Sequence, residues 1–130
     1  MATIKQTISF DASPQKVYKA FMDEKEHAAF TGAHVKIENK VGGTFSIWDG
    51  YAIGTTKELV PGKKIVQTWR ASDWPKDHYS TVTLEFLAAG KSTKLIFTQV
   101  HVPEDQEKSI AEGWYEYYWN PLKDYFLKVK

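Results

Sequence analysis

Histidines are the first residues to consider for metal binding or acid–base chemistry. The sequence has four of them: His27, His34, His78 and His101. A zinc site needs two or three such side chains to converge with one another or with carboxylates, and no pair has the i, i+4 spacing that would place both on one helix face. We therefore expect no metal site, and a structural role for His101. His78 follows a Trp-Pro loop and is a candidate for the rim of a pocket.

Two carboxylates are candidates for a general acid or base. Asp49 precedes Gly50, and this pair is typical of a tight hairpin turn, which explains Asp49 without any chemistry. Glu58 lies on a predicted strand, and two interpretations of it remain open. If its side chain points inward, Arg70 could pair with it there; otherwise Glu58 forms a cross-strand pair on the surface.

The sequence offers no nucleophile and no phosphate-binding loop. It contains no cysteine, which removes disulfides, thiolate nucleophiles and cysteine-based zinc sites. No serine lies in a nucleophile-elbow pattern, and there is no glycine-rich phosphate loop. We expect neither a catalytic constellation nor a cofactor.

Size and charge narrow the function classes further. The 130 residues fit a single domain, 1–130, with one core. The formal net charge of +1 lacks the basic excess that a nucleic-acid-binding face needs. No apolar run reaches the length of about 20 residues that spans a membrane, and the start MATIKQTISF does not resemble a signal peptide. We expect a soluble, cytoplasmic protein, either a monomer or a weak dimer.

Aromatic residues are the most unusual part of the composition. Five Trp, seven Tyr and seven Phe make up 15% of the chain. One interpretation is a core rich in rings. The other is a core that does not quite close and leaves an aromatic-lined cavity.

The elements that would position these rings begin with a long C-terminal helix. Large apolar residues recur every three or four positions from Ser109 to Phe126, which predicts one helix with a broad aromatic face. Ser109 and Glu112 match the capping-box pattern for its start. Gly113 indicates a close approach of this helix to the sheet, or a place where bulk is missing, and Pro121 predicts a kink.

The rest of the chain is predicted to form a sheet against which this helix packs. A strand at Thr3–Phe10 is followed by two short helices, with Ser13 and Pro14 starting the first and Gly32 ending the second. Alternating segments separated by short turns then predict consecutive strands from His34 to His101. Such short connections require antiparallel pairing. We predict an α+β fold in which a curved antiparallel sheet of six or seven strands grips the C-terminal helix. Gly54, inside a strand, marks a bulge or space for a ligand.

Motifs along nearly the whole chain resemble one known family. The matching segments are Phe10–Pro14, Val17-Tyr18, His27–Gly32, Gly42-Gly43, Phe45, Asp49–Tyr51, Gly54, Leu59–Lys63, Ile65–Arg70, Trp74-Pro75, His78–Ser80, Val82-Thr83, Gln99, Val102-Pro103, Gly113-Trp114, Tyr118-Trp119, Pro121, Lys123 and Tyr125-Phe126. Each motif alone is weak, but their order and spacing are specific. The sequence is similar to the activator of Hsp-90 ATPase homologue family, in the START-like or SRPBCC superfamily with its helix-grip fold.

The resemblance implies a function as well as a fold. It implies a deep hydrophobic cavity between sheet and helix, and contact with a chaperone. In the eukaryotic co-chaperones a separate N-terminal domain with an Asn- and Trp-rich motif stimulates the chaperone's ATPase, and this sequence shows neither. We therefore expect any chaperone contact to be weak and without strong stimulation. Stand-alone members resemble carriers of small ligands.

Two function classes follow. The first is a binding module for an apolar small molecule or a partner protein, and the second is an enzyme that acts on a hydrophobic substrate in the same cavity. The absence of a catalytic set favours the first. The candidate ligand-binding residues are those expected to wall or rim the cavity: Trp48, Gly54, Trp69, Trp74, His78, Phe86, Phe97, Trp114, Tyr118 and Tyr125.

Overall fold

The computed structural model describes residues 1–128. The elements follow in the order β1 (Ala2–Phe10), α1 (Pro14–Met22), α2 (Glu24–Thr31), β2 (Val35–Ile37), β3 (Thr44–Ile47), β4 (Ala52–Val60), β5 (Lys64–Ala71), β6 (Ser80–Ala89), β7 (Ser92–Val102), α3 (Glu107–Trp114) and α4 (Asn120–Lys128). A short 3-10 turn, Glu104–Gln106, precedes α3, and a π turn, Tyr115–Trp119, joins α3 to α4.

The seven strands form one sheet in the order β1-β7-β6-β5-β4-β3-β2. All of the pairings are antiparallel, as the short connections require. Alternation sets the buried face: Ile4, Ile8 and Phe10 are buried along β1, while Lys5 and Thr7 between them are exposed. The prediction of a curved antiparallel sheet gripping a C-terminal helix is confirmed.

The two short helices begin and end where local sequence signals place them. The Ser13 hydroxyl accepts a hydrogen bond from the Lys16 N–H at 3.4 Å, and Pro14 follows as the first helical residue. Asp23 caps α2 in the same way, with Oδ1 accepting from the Glu26 N–H at 3.0 Å. Gly32 ends α2 with φ 69°, a left-handed conformation that glycine adopts without steric cost.

The hairpin between β3 and β4 forms at the predicted turn. Asp49 and Gly50 have φ 54° and 92°, the signs required by a type I′ turn, and the Tyr51 N–H donates to the Trp48 carbonyl at 3.2 Å. Trp48 also has φ 54°. A left-handed backbone is rare for so bulky a residue and costs about 1–3 kcal/mol. No pattern in the sequence indicates this conformation.

The C-terminal helix differs from the prediction in two ways. It begins at Glu107, and the Ser109 hydroxyl donates to the Gln106 carbonyl at 3.1 Å. The capping-box prediction is therefore wrong, because the 3-10 turn leads directly into α3 and Ser109 is already inside the helix. The helix also contains a π turn just before Pro121, where the Asn120 N–H donates to the Tyr115 carbonyl; the kink predicted at Pro121 stays a prediction. Pro121 has no N–H and its ring disfavours a regular turn at this point.

A glutamine on the edge strand fixes this helix to the sheet. Gln6 Nε2 donates to the Ala111 carbonyl of α3 at 2.9 Å, and Gln6 Oε1 accepts from the Trp119 indole N–H at 2.7 Å. Trp119 is fully buried, so its N–H would lose a hydrogen-bond partner without Gln6.

Glu58 makes a cross-strand pair on the surface, as one of its two interpretations held. Lys64 Nζ lies 3.4 Å from Glu58 Oε2 across β4 and β5, and both side chains are partly exposed. Arg70 does not pair with Glu58; its guanidinium donates to the carbonyls of Trp74 and Pro75 at 2.6 and 3.3 Å. The inward pairing is therefore wrong.

Across residues 1–128, no helix combines the length and the apolar character needed to cross a lipid bilayer.

Candidate functional site

A cleft of about 530 Å³ opens between the C-terminal helix, the β3–β4 hairpin and the loop after β5. Its lining residues are Trp48, Tyr51, Trp69, Asp73, Gln106, Ser109, Ile110, Gly113, Trp114, Tyr117 and Tyr118. Pockets that bind small molecules commonly have volumes of roughly 300–1,000 Å³ and mostly apolar or aromatic walls with a few polar groups. The cleft has both properties.

Three packed rings form the inner wall of the cleft. The ring centroids of Trp114 lie 5.7 Å from those of Trp69 and 4.7 Å from those of Tyr118, and all three side chains are buried. Beyond the wall, the same rings border a second void of only about 20 Å³, enough for about one water molecule. Of these two voids, the one outside the wall is therefore by far the larger.

Four of the candidate residues line the cleft: Trp48, Trp69, Trp114 and Tyr118. Whether they bind a ligand stays a prediction. Trp74 and Phe97 lie behind the wall, with ring centroids 5.3 Å from Trp69 and 4.5 Å from Trp114 respectively. Because Trp74 is buried, it supports the cleft and does not cover its opening.

The remaining aromatic candidates and His78 lie away from the cleft. Phe86 packs against Tyr18 at 5.8 Å, and the Tyr125 hydroxyl donates to Glu26 Oε1 at 2.9 Å. His78 Nε2 donates to the His101 carbonyl at 2.8 Å, and this bond joins the loop after β5 to the end of β7. None of the three is among the residues that line the cleft.

The two glycines have opposite surroundings. A Cβ at Gly54 would lie 2.7 Å from the Phe45 ring and would clash with the Thr68 carbonyl. The expectation of open space at Gly54 is therefore wrong, because the neighbouring strand and the Phe45 ring approach its backbone directly. Gly113 lines the cleft, and a Cβ there would meet only Tyr117 Cδ2, at 3.8 Å. The missing bulk is at Gly113.

Tyr51 and Tyr117 complete the outer part of the cleft and were not among the candidates. Both are exposed, and the Tyr117 ring lies 5.7 Å from the Trp48 ring. Burial is the main cause that raises the pKa of Tyr51, with smaller contributions from the negative charge of Asp73 and from Tyr117. Tyr51 directly follows the Asp49-Gly50 turn, and this position was the one available signal that it lies beside Trp48.

A buried chain of hydrogen bonds links the Trp114 ring to the backbone of Trp69. The Trp114 indole N–H donates to Gln99 Oε1 at 2.8 Å, Gln99 Nε2 donates to the Ser80 hydroxyl at 2.9 Å, and that hydroxyl donates to the Trp69 carbonyl at 2.8 Å. Gln99 and Ser80 are fully buried. A buried amide is tolerated when it is hydrogen-bonded, and Gln99 is bonded through both its oxygen and its nitrogen.

His27 and Tyr118 form a buried polar pair that the sequence did not reveal. His27 Nδ1 lies 2.9 Å from the Phe21 carbonyl and Nε2 lies 3.1 Å from the Tyr118 hydroxyl. The carbonyl can only accept, so Nδ1 carries the proton and Nε2 accepts from the tyrosine. Burial lowers the pKa of His27 to about 4 and raises that of Tyr118. Both groups are therefore neutral at pH 7, as a structural pair requires.

Within residues 1–128, no three or more His, Cys, Asp or Glu side chains are grouped so that they could hold a metal ion.

Comparisons with known proteins agree with this architecture. The profile of the family described as "Activator of Hsp90 ATPase homolog 1-like protein" matches residues 11–127. The chain is 36% identical over 124 residues to the human activator of 90 kDa heat shock protein ATPase homolog 1, which covers 95% of this chain and 36% of that protein. It is 39% identical over 113 residues to the activator homolog of Dictyostelium discoideum, covering 86% of this chain and 30% of that protein. The chain thus spans about a third of the length of these relatives.

Two solved structures show the same fold. An HSP90 activator from Plasmodium falciparum superposes with a TM-score of 0.87 at 27% identity, covering 95% of this chain and 94% of that chain. The Aha1 dimer from Colwellia psychrerythraea gives a TM-score of 0.80 at 21% identity, with 95% of both chains covered.

Proposed function

Because the chain belongs to the family of activator of Hsp90 ATPase homolog 1-like proteins, we propose that it is a binding module that contacts a chaperone of the Hsp90 type. The observation that carries this proposal is the extent of the match: 95% of the chain aligns with the human activator at 36% identity. The relatives' names describe proteins that activate the ATPase of a partner, which is a binding role.

Stimulation of the chaperone's ATPase is the second part of the proposal. The human relative is much longer, and the match covers 36% of it. The HSP90 activator from Plasmodium falciparum, by contrast, is matched over 94% of its chain. This second comparison supports a contribution to activation, and we expect the stimulation to be weak.

The test uses the full chain and the Hsp90 of the same organism. Binding is measured by isothermal titration calorimetry, and steady-state ATP hydrolysis is measured with and without the chain, with the rate in the presence of an Hsp90 inhibitor subtracted. The Hsp70 of the same organism serves as the specificity control. Saturable binding to Hsp90 alone supports the contact, and a raised ATPase rate supports activation. Absence of saturable binding under these conditions overturns the proposal.

A second function is favoured by one specific observation, the aromatic cleft. A cleft of about 530 Å³ beside a left-handed Trp48 and an unfilled position at Gly113 supports binding of an apolar small molecule. Intrinsic tryptophan fluorescence should change saturably on binding, because Trp48, Trp69 and Trp114 all line the cleft. Gly113→Leu fills the cleft from an open position and should abolish the response. A panel of sterols, fatty acids and polycyclic aromatics without any saturable response would refute this second function.

The alternative of an enzyme acting in the same cleft has less support. The cleft offers Asp73 and Ser109 as its reactive side chains, and both are exposed at its rim. Neither side chain is buried in the apolar environment that is typical of a general acid or base. Binding remains the function that the geometry supports best.

A further inference from the structure

The outer part of the cleft is an aromatic box, which we define as Trp48, Tyr51 and Tyr117. The Trp48 ring is edge-on to both tyrosines, at 6.2 Å from Tyr51 with an interplanar angle of 72° and at 5.7 Å from Tyr117, also at 72°. The Trp48 ring thus stands at a steep angle to each tyrosine, and all three side chains line the same cleft. Ring faces carry negative potential and attract cations.

One carboxylate stands beside the box. Asp73 is the only charged residue among those that line the cleft, and the other polar lining side chains are Gln106 and Ser109, besides the tyrosine hydroxyls. Asp73 is close enough for its charge to contribute to the raised pKa of Tyr51. The charge of the lining thus favours a positive ligand and disfavours an anionic one.

The backbone holds the box open at a cost in stability. Trp48 keeps its left-handed conformation with its N–H donating to the His34 carbonyl at 3.0 Å. Its side chain is half-buried, with the ring 5.6 Å from the buried Tyr118 ring on one side and the cleft on the other. Residues with a strained backbone cluster at active sites and at positions that contact ligands.

We propose that the cleft binds a small organic cation, an alkylated ammonium group on an apolar body, with the ammonium in the aromatic box beside Asp73 and the apolar body against Trp69, Trp114 and Tyr118. This inference rests on the second function proposed above and gives that ligand its chemical class. The volume of about 530 Å³ indicates a whole small molecule, because a single lysine or arginine side chain would leave most of it empty.

The test compares two probes of the same shape. Benzyltrimethylammonium carries the proposed cation, and neopentylbenzene is its uncharged isostere, with carbon in place of the nitrogen. Binding of each to the full chain is followed by tryptophan fluorescence and by NMR of the indole N–H signals. We expect the cation to bind at least tenfold more tightly than the isostere.

Two matched pairs of variants locate the binding. Tyr117→Leu should weaken cation binding about five- to tenfold, whereas Tyr115→Leu, a change in the same π turn of a similarly exposed tyrosine outside the cleft, should not. Asp73→Asn should weaken binding of the cation and leave binding of the isostere unchanged. Glu85→Gln on β6 is the control. All four positions are exposed, so folding should be retained and is checked by circular dichroism.

The outcomes distinguish the proposal of a cationic ligand from the broader proposal of a small-molecule site. Equal binding of both probes would support a site for apolar ligands and would overturn the proposal that the ligand is a cation. Binding of neither probe would overturn the cation and also count against the small-molecule function, while the chaperone contact is tested separately. A loss with Tyr115→Leu equal to that with Tyr117→Leu would place the cation outside the box and refute the proposal.

Discussion

The indole N–H of Trp114 donates a hydrogen bond of 2.8 Å to the side-chain oxygen of Gln99. Trp114 belongs to α3 and Gln99 to β7, so this bond joins the helix to the sheet at the wall of the cleft. The amide of Gln99 continues through Ser80 to the Trp69 carbonyl. One buried glutamine therefore sets the positions of two aromatic residues that line the cleft.

The first prediction concerns this coupling. Gln99→Leu should lower the free energy of unfolding by about 2 kcal/mol, because a buried donor or acceptor without a partner costs about 1–3 kcal/mol. Trp114→Phe removes the donor, so the double variant should lose less stability than the sum of the two single variants. Urea denaturation of all four proteins measures the cycle. Strictly additive losses would show that the bond contributes nothing.

The second prediction concerns the Trp114 ring itself. Trp114 is 5% exposed and contacts Phe97, Trp69 and Tyr118. Trp114→Ala should therefore cost about 3–5 kcal/mol, the range for removal of a large buried ring. Tyr115→Ala, on the exposed side of the neighbouring turn, is the control and should cost much less. A midpoint shift for Trp114→Ala equivalent to less than ~1 kcal/mol would contradict a core role.

The third prediction contrasts the two glycines. Gly113→Ala should stabilise the protein by about 0.5–1 kcal/mol, because alanine favours a helix and its Cβ meets only Tyr117 Cδ2 at 3.8 Å. Gly54→Ala should destabilise it, because its Cβ would clash with the Thr68 carbonyl, a backbone atom of the sheet. Thermal denaturation of both variants gives the signs. A change of the melting temperature in the same direction for both variants would contradict the open position at Gly113 and the crowded one at Gly54.

The fourth prediction concerns pH. The pKa of His27 is about 4 in the folded protein, against 6.5 for an unperturbed histidine. The unfolded chain takes up a proton below pH 6.5 that the folded chain resists, so stability is complete above that pH and falls as the pH drops from 6.5 to about 4. The loss from this one residue amounts to roughly 3 kcal/mol at most.

The measurement is the free energy of unfolding at pH 7 and pH 5 for the parent protein, His27→Gln and His34→Gln. His34 is exposed beside Asp49 and serves as the control. The decrease between pH 7 and pH 5 should be smaller for His27→Gln than for the other two proteins. An unchanged decrease in His27→Gln would mean that another group causes it.

Local patterns predicted the elements of this fold well. The strand alternation of Ile4, Ile8 and Phe10, the helix start at Ser13, the helix end at Gly32 and the Asp49-Gly50 turn all depend on interactions within a few residues of the chain. The start of α3 was misplaced because Ser109 matches a cap motif that the preceding 3-10 turn makes unnecessary. The prediction of a single domain over 1–130 stays a prediction.

The sequence by itself determined the order of strands and helices and the family, because these follow from side-chain periodicity, turn chemistry and motifs that lie along the chain. It did not determine the inner face of every strand, because several strands are apolar on both faces. Tertiary structure alone decided which rings meet at the cleft. Tyr51 and Tyr117 come together with Trp48 only because the β3–β4 hairpin packs near the π turn. Likewise, Gly54 is crowded and Gly113 is open because of what lies opposite each backbone, and atoms distant in sequence decide that.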